Sequence, residues 1–204
     1  PYVAPNVIVS VDDSGSMNYC LNKESASNCI NKTNANDLTV PNADGSWPLN
    51  SRRINVLKYA LKQVFEDKDL LPDGKIRLSW QVMHNNGGSP NADNVNTSSM
   101  NQNSMRVLDN THRNNFLTFA GKLSALNGTP THKMFSQADA YMRGGLSKNS
   151  PWASIPGAKA APYLSCRRNY HIVMTDGRWN SETSATSAGE QDNTPKTLPD
   201  GTIY

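Results

Sequence analysis

The chain has 204 residues, of which 36% are hydrophobic and 18% are charged, with a net charge of +3 and a mean hydropathy of −0.63. This length suits a single domain covering 1–204. The small charge, without a Lys/Arg-rich run, argues against a nucleic-acid partner, and no stretch is apolar enough to span a membrane. Because the sequence starts at Pro1 without a signal peptide, we expect a processed or excised segment.

The first half of the chain predicts a strand, a helix and a second strand. The apolar, β-branched run at 6–11 indicates a buried strand. A long polar insertion at 18–50 precedes a helix predicted at 53–67, with Ser51 as its predicted N-cap. The buried stripe of this helix is predicted as Ile54, Leu57, Leu61, Val64 and Phe65. Apolar and polar residues alternate at 75–83, and they indicate a strand with one exposed face. That exposed face would carry Arg77, Ser79 and Gln81.

The second half predicts an edge strand, two helices and a last strand. A second loop insertion at 84–105 leads to a short edge strand at 105–108. Helices are predicted at 114–126, capped by Asp109 or Thr111 with Leu126 facing inward, and at 130–143, where Pro130 suits the first position. An irregular connector at 146–168 precedes the last strand at 170–175.

This order of elements predicts an α/β fold. Helices that separate strands imply a doubly wound, mostly parallel sheet. The last strand should be flanked on both sides, but the polar residues at 178–204 show no apolar period that would supply another helix or strand. We therefore expect the sheet to be incomplete in this segment and the native protein to continue past Tyr204.

Three cysteines are present, and two of them lie in one polar loop. Cys20 and Cys29 predict a local disulfide, because exposed thiols in a Ser/Asn-rich loop would have no packing role. The alternative is two free thiols in a reducing compartment. Cys166 is left over, and we expect it to be buried or to pair with a partner outside the segment.

Polar side chains with oxygen atoms follow the first and last predicted parallel strands. Asp12, Ser14 and Ser16 stand at alternate positions directly after the first strand. Asp176 follows the last strand in Thr-Asp-Gly, and Thr129 lies between two predicted helices. Ligands of open α/β sheets bind at the carboxyl ends of the strands, so these loops should meet at one edge. Hard oxygen donors favour Mg²⁺, with Mn²⁺ or Ca²⁺ as alternatives.

These motifs resemble the von Willebrand factor A (VWA) family and its metal-ion-dependent adhesion site. Asp-x-Ser-x-Ser, a distant Thr, and Thr-Asp-Gly after an apolar strand occur here in the family's order, within residues 5–180. The resemblance implies a Rossmann-like VWA fold. It also implies that Ser14, Ser16 and Thr129 ligate the metal directly and that Asp12 and Asp176 act mostly through bound waters. The open metal position would then take an acidic group of a protein or surface ligand.

A closer resemblance is to the N-terminal domain of the PilC/PilY1 family of type IV pilus tip adhesins. It is carried by Asp-Asp-Ser-Gly-Ser-Met before a long insertion and by Met-Thr-Asp-Gly-Arg-Trp-Asn at 174–180. It implies an extracellular domain of a bacterial pilus tip, with roles in adhesion, pilus biogenesis and twitching motility. It also implies that a C-terminal domain outside this segment docks on minor pilins.

Two other functions remain open from the residues, and a third lacks its motif. A structural or mechanosensing VWA domain could carry the same motif without a metal. An aspartic-type protease would use Asp13 in Asp-Ser-Gly, but no second copy of that motif occurs to share the proton. A serine hydrolase would need Gly-x-Ser-x-Gly, which Ser14 and Ser16 lack. We therefore expect a binding module and no enzymatic turnover, and we assign Asp13 no ligand role.

Overall fold

The computed structural model describes residues 2–30, 40–84, 103–164, 166–177, 180 and 201. Within these residues, four strands form one sheet in the order β3-β2-β1-β4. The strands are β1 (Asn6–Val11), β2 (Arg77–Val82), β3 (Arg106–Val107) and β4 (Asn169–Met174). Strand β1 pairs in parallel with both β2 and β4, whereas β3 runs antiparallel to β2. The prediction of a mostly parallel sheet is therefore confirmed for the described strands.

The sheet has helices on both faces. The helices are α1 (Arg53–Glu66), α2 (Asn110–Gly121) and α3 (Thr131–Met142), and a short 3-10 helix covers Gly15–Asn18. Because side chains alternate along a strand, Val7 and Val9 of β1 join a core with residues of α1 and α2, while Ile8 joins a second core with Tyr141 of α3. This layering is an α/β architecture.

Strand β2 has no exposed face, contrary to the sequence-based expectation. All six of its residues are buried, including Arg77, Ser79 and Gln81. The polar side of β2 is covered by later parts of the chain. An Arg77 N–H donates to the Pro151 carbonyl at 2.7 Å, and the Gln81 amide donates to the Met134 carbonyl of α3 at 2.7 Å. Hydrogen bonds of this kind allow polar side chains to lie inside the protein.

Helix α2 begins and ends four to five residues earlier than predicted. It begins after Asp109, the N-cap, whose carboxylate accepts the His112 backbone N–H at 2.7 Å. This confirms one of the two predicted caps. The helix stops at Gly121, and the prediction that Leu126 is buried is wrong, since Leu126 is 61% exposed. The backbone N–H of Leu126 instead donates to the Asp13 carbonyl at 3.0 Å, which fixes this loop against the end of β1.

Helix α1 occupies nearly its predicted range, but two details differ. Its N-cap is Arg52, without a side-chain cap, and the predicted cap Ser51 is fully buried before it. Ile54, Leu61 and Phe65 are buried as expected, whereas Val64 is exposed. Helix α3 begins one residue after its predicted start, because Pro130 is the N-cap and not the first helical residue.

The predicted disulfide between Cys20 and Cys29 is present. The loop that this disulfide closes is also joined to the start of α1. The backbones of Cys20 and Arg52 form an isolated antiparallel β-bridge, and the Leu21 N–H donates to the Ser51 carbonyl at 3.0 Å. Cys166 is a free and exposed thiol, so its predicted burial is wrong. It lies in the turn before β4, where the chain is at the surface.

We expect the Cys20→Ser/Cys29→Ser double variant to lower the free energy of unfolding by about 2–3 kcal/mol, because the open loop gains entropy in the unfolded chain. Urea unfolding followed by circular dichroism measures this change. Cys166→Ser is the matched control and should leave the urea midpoint unchanged. Equal midpoints for the double variant and the wild-type protein would contradict the expectation.

Several sequence-based predictions lie outside the described residues. These include most of the insertion at 84–105, part of that at 18–50, and all of the polar segment at 178–204 except residues 180 and 201. Within the described part of the chain, no helix has both the length and the apolar character needed to cross a bilayer.

Candidate metal centre

Three parallel strands end at the same level of the sheet. Val11, the last residue of β1, pairs with Val82 at the end of β2 and with Met174 at the end of β4. The backbone N–H of Asp12 then donates to the Met174 carbonyl at 2.9 Å. The loop that follows β1 and the loop that follows β4 therefore begin side by side, as the sequence predicted.

Asp12 is fully buried, and both of its carboxylate oxygens are engaged by this chain. Oδ1 accepts the Ser14 backbone N–H at 2.8 Å, which closes a turn directly after β1. Oδ2 accepts the Thr175 hydroxyl at 2.7 Å. Asp12 thus fixes the position of both loops.

Ser14, Ser16 and Asp176 form a continuous chain of oxygen atoms. The hydroxyls of Ser14 and Ser16 are 3.1 Å apart, and the Ser16 hydroxyl donates to Oδ1 of Asp176 at 2.8 Å. Residues from the start and the end of the domain, 160 positions apart, are therefore in direct contact. This arrangement brings together three of the five predicted metal-site residues.

Thr129 lies in the loop between α2 and α3, which brings it to the cavity that Ser16 and Asp176 line. This loop is held close to the Asp-x-Ser-x-Ser turn, because the Gly15 N–H donates to the Asn127 carbonyl at 2.8 Å. A side chain at Gly15 would place its Cβ only 3.1 Å from that carbonyl oxygen, so the close approach favours glycine. Thr129 is also tied to Asn180, whose side-chain oxygen accepts the Thr129 N–H at 2.8 Å.

A cavity of about 630 Å³ opens beside these oxygen atoms. Ser16, Thr129 and Asp176 line it together with Tyr19, Glu24 and Arg53. The other two predicted residues, Asp12 and Ser14, are fully buried and do not line the cavity. Tyr19 and Glu24 belong to the insertion at 18–50, so part of this insertion borders the site.

Arg53 is the site residue that sequence reasoning missed. Its guanidinium forms an ion pair with Oδ2 of Asp176 at 2.7 Å and a second with Oε1 of Glu24 at 2.6 Å. Burial alone would lower the pKa of Arg53, but the hydrogen bonds to Asp176 and Glu24 outweigh it and leave the pKa raised. The sequence showed only an arginine at the start of a helix, with no motif to connect it to Asp176.

Asp13 points away from the oxygen cluster and has a structural role. It is 1% exposed, and its Oδ1 accepts the backbone N–H of His84 at 3.0 Å. The His84 ring in turn contacts the Gly128 carbonyl at 2.7 Å. Asp13 therefore links the end of β2 to the loop that carries Thr129.

The donor atoms present here fit a hard divalent cation. All five predicted residues offer hydroxyl or carboxylate oxygen, the donor type that Mg²⁺, Mn²⁺ and Ca²⁺ prefer. Thr129 is buried and lines the cavity, which puts its hydroxyl among the oxygen donors at the site. No group of three or more His, Cys, Asp or Glu residues suited to a metal ion occurs within the described ranges, so a cation here would depend on the hydroxyls.

These observations define an α/β domain with a candidate cation site at the carboxyl edge of its parallel strands. The chain is homologous to the type IV pilus biogenesis factor PilY1 of Pseudomonas aeruginosa. It is 34% identical to the protein of strain PAO1 over 128 residues, which are 63% of this chain and 11% of that protein. It is 35% identical to the protein of strain PAK over 133 residues, covering 63% of this chain and 10% of the relative.

The chain thus spans about a tenth of the length of the curated relatives it matches. No protein-family model matches the sequence, and no solved structure matches it. The homology therefore concerns a small part of PilY1, and it leaves the VWA fold and the metal site as proposals.

Proposed function

We propose that this chain is a doubly wound VWA-type adhesion domain of a type IV pilus tip or pilus biogenesis protein. It binds a divalent cation, Mg²⁺ first and Mn²⁺ or Ca²⁺ as alternatives, and through the cation an acidic group of a protein or surface ligand. It is a binding module without enzymatic turnover. The observation that carries the proposal is the chain of oxygen atoms from Ser14 through Ser16 to Asp176, beside a cavity that Thr129 also lines.

The residues of the cluster divide into two groups by the way each would hold the metal. The hydroxyls of Ser14, Ser16 and Thr129 would hold the metal directly, while Asp12 and Asp176 would act through water. Neutral hydroxyls leave a divalent cation under-neutralised, so the cation favours an anionic oxygen in its open position. Since Mg²⁺ tends to keep several waters, carboxylates acting indirectly suit it.

Two observations support a pilus-associated, extracellular location. The homologues are named type IV pilus biogenesis factors. The disulfide between Cys20 and Cys29 agrees with an oxidising compartment outside the cytoplasm. In the whole protein, a domain outside this segment would dock on minor pilins, as the PilC/PilY1 resemblance implies.

One observation favours a second candidate, a structural or mechanosensing VWA domain without a bound metal. Arg53 already supplies Asp176 with a positive charge at 2.7 Å, so the loops can be held together without a cation. An aspartic-type protease has less support. The carboxylate of Asp13 is buried against the His84 backbone and does not line the cavity.

Calorimetric titration with Mn²⁺ and Mg²⁺ tests the metal site. We expect Ser16→Ala to weaken metal binding at least about tenfold, because it removes a direct ligand and the contact with Asp176. Ser124→Ala, at an exposed position after α2, is the matched control and should bind metal like the wild-type protein. Equal affinities for Ser16→Ala and the control would contradict the site. Wild-type adhesion by Ser16→Ala would favour the structural candidate.

A further inference from the structure

Arg53 lies between two carboxylates that differ strongly in exposure. The Asp176 side chain is 10% exposed, whereas the Glu24 side chain is 78% exposed. A solvent-exposed ion pair contributes little free energy of stabilisation, because water and salt screen the attraction and both side chains lose conformational entropy. The contact of Arg53 with Asp176 is therefore the persistent one, and the contact with Glu24 is readily exchanged.

Glu24 remains near Arg53 even when their contact opens. It lies in the loop closed by the Cys20–Cys29 disulfide, and the Cys20 N–H donates to the Ser25 carbonyl at 3.1 Å. The Arg53 N–H also donates to the Tyr19 carbonyl at 3.0 Å, which joins this loop to α1. The carboxylate is thus tethered at a high local concentration beside the cavity.

We propose that Glu24 is an internal competitor for the acidic ligand of this site. Its carboxylate contacts the solvent-exposed side of the Arg53 guanidinium, and Asp176 contacts the other side of the same group. Both carboxylates line the same cavity. An incoming ligand that binds both the cation and Arg53 has to displace the Glu24 carboxylate. This inference rests on the proposed function, because it assigns a ligand class and a form of regulation to the same metal site.

The ligand class follows from Arg53 and the proposed cation, which would share one cavity. A metal held by Ser16 and Thr129 binds one carboxylate, and Arg53, once released by Glu24, offers N–H donors to a second. A guanidinium presents several donors in a fixed plane and suits carboxylate recognition. The site therefore prefers ligands with two acidic groups, such as a pair of acidic side chains, over ligands with one.

The test compares two small probes on the protein loaded with Mn²⁺. Glutarate carries two carboxylates, and pentanoate has the same number of carbons but one carboxylate. We expect Glu24→Gln to bind glutarate about threefold to fivefold more tightly than the wild-type protein does, the size of one exposed ion pair. Pentanoate affinity should change less. Glu66→Gln, which removes an exposed carboxylate at the other end of α1, controls for net charge and should have no effect.

The Arg53→Gln and Glu24→Gln/Arg53→Gln variants complete a double-mutant cycle. We expect the gain from Glu24→Gln to disappear when Arg53 is absent. A gain that persists without Arg53, or that Glu66→Gln reproduces, would overturn the internal-competitor proposal. If the wild-type protein binds Mn²⁺ but glutarate affinity is the same with and without Glu24, this inference alone fails. If the protein binds no Mn²⁺, both this inference and the proposed function fail.

Discussion

Replacement of Asp12 by alanine should lower the free energy of unfolding by about 2–3 kcal/mol and weaken metal binding at least about tenfold. Asp12 is fully buried, and its Oδ1 is the acceptor for the Ser14 backbone N–H, which is itself in a fully buried residue. Without the carboxylate, this N–H loses its partner inside the protein. Thr175 is at the surface, where water can replace its lost acceptor. Urea unfolding measures the stability, and titration with Mn²⁺ measures the site.

Two further variants separate the structural role of Asp12 from its role in metal binding. Asp12→Asn keeps an oxygen that can accept the Ser14 N–H but removes the charge, so we expect most of the stability to remain while metal affinity falls. Asp139→Ala removes a half-exposed carboxylate on α3 that pairs with Arg143, and it should change stability by less than about 0.5 kcal/mol. Wild-type stability in Asp12→Ala would contradict the role given to the Ser14 hydrogen bond.

The core of the candidate site was predictable because parallel pairing aligns strand ends. Asp12 and Asp176 each follow a short apolar run, and in a parallel sheet such runs end at a common edge. The register of β1 with β4 brings the two loops together, with Val11 opposite Met174. Thr129 follows a helix and not a strand, and only the resemblance to the VWA family indicated that it is a metal ligand.

Arg53 could not be predicted because its role depends on distant contacts. It is the first residue of a helix, and its partner Asp176 is 123 positions away in the sequence. The same reason explains the error over β2. Alternation of polar and apolar residues normally indicates a solvated face, but here the polar face is covered by α3 and by the segment near Pro151. The pattern of polar and apolar residues in a strand shows the polarity of its side chains, but it does not show which later segments of the chain cover them.

His112 should make the fold sensitive to acid between about pH 6.5 and pH 4. Burial lowers the pKa of His112 from 6.5 to about 4, and this effect outweighs the opposing hydrogen bond to the Leu78 carbonyl. The side chain is almost fully buried between α2 and β2, with its Nε2 2.8 Å from that carbonyl and its ring 4.9 Å from that of Trp80. The folded protein therefore holds His112 neutral at a pH where the unfolded chain already binds a proton.

Because the unfolded state binds more protons in this range, the free energy of unfolding falls as the pH is lowered from about 6.5 to about 4. Above about pH 6.5, the titration of His112 has no effect on the free energy of unfolding. A depression of this size corresponds to a loss of about 3 kcal/mol across the window. Burial also lowers the pKa of His171, which adds a loss of the same sign. Unfolding free energies measured at pH 7, 6 and 5 in wild-type, His112→Gln and His171→Gln proteins should therefore show a clearly smaller slope without His112. Equal slopes in His112→Gln and the wild-type protein would show that another group controls the acid sensitivity.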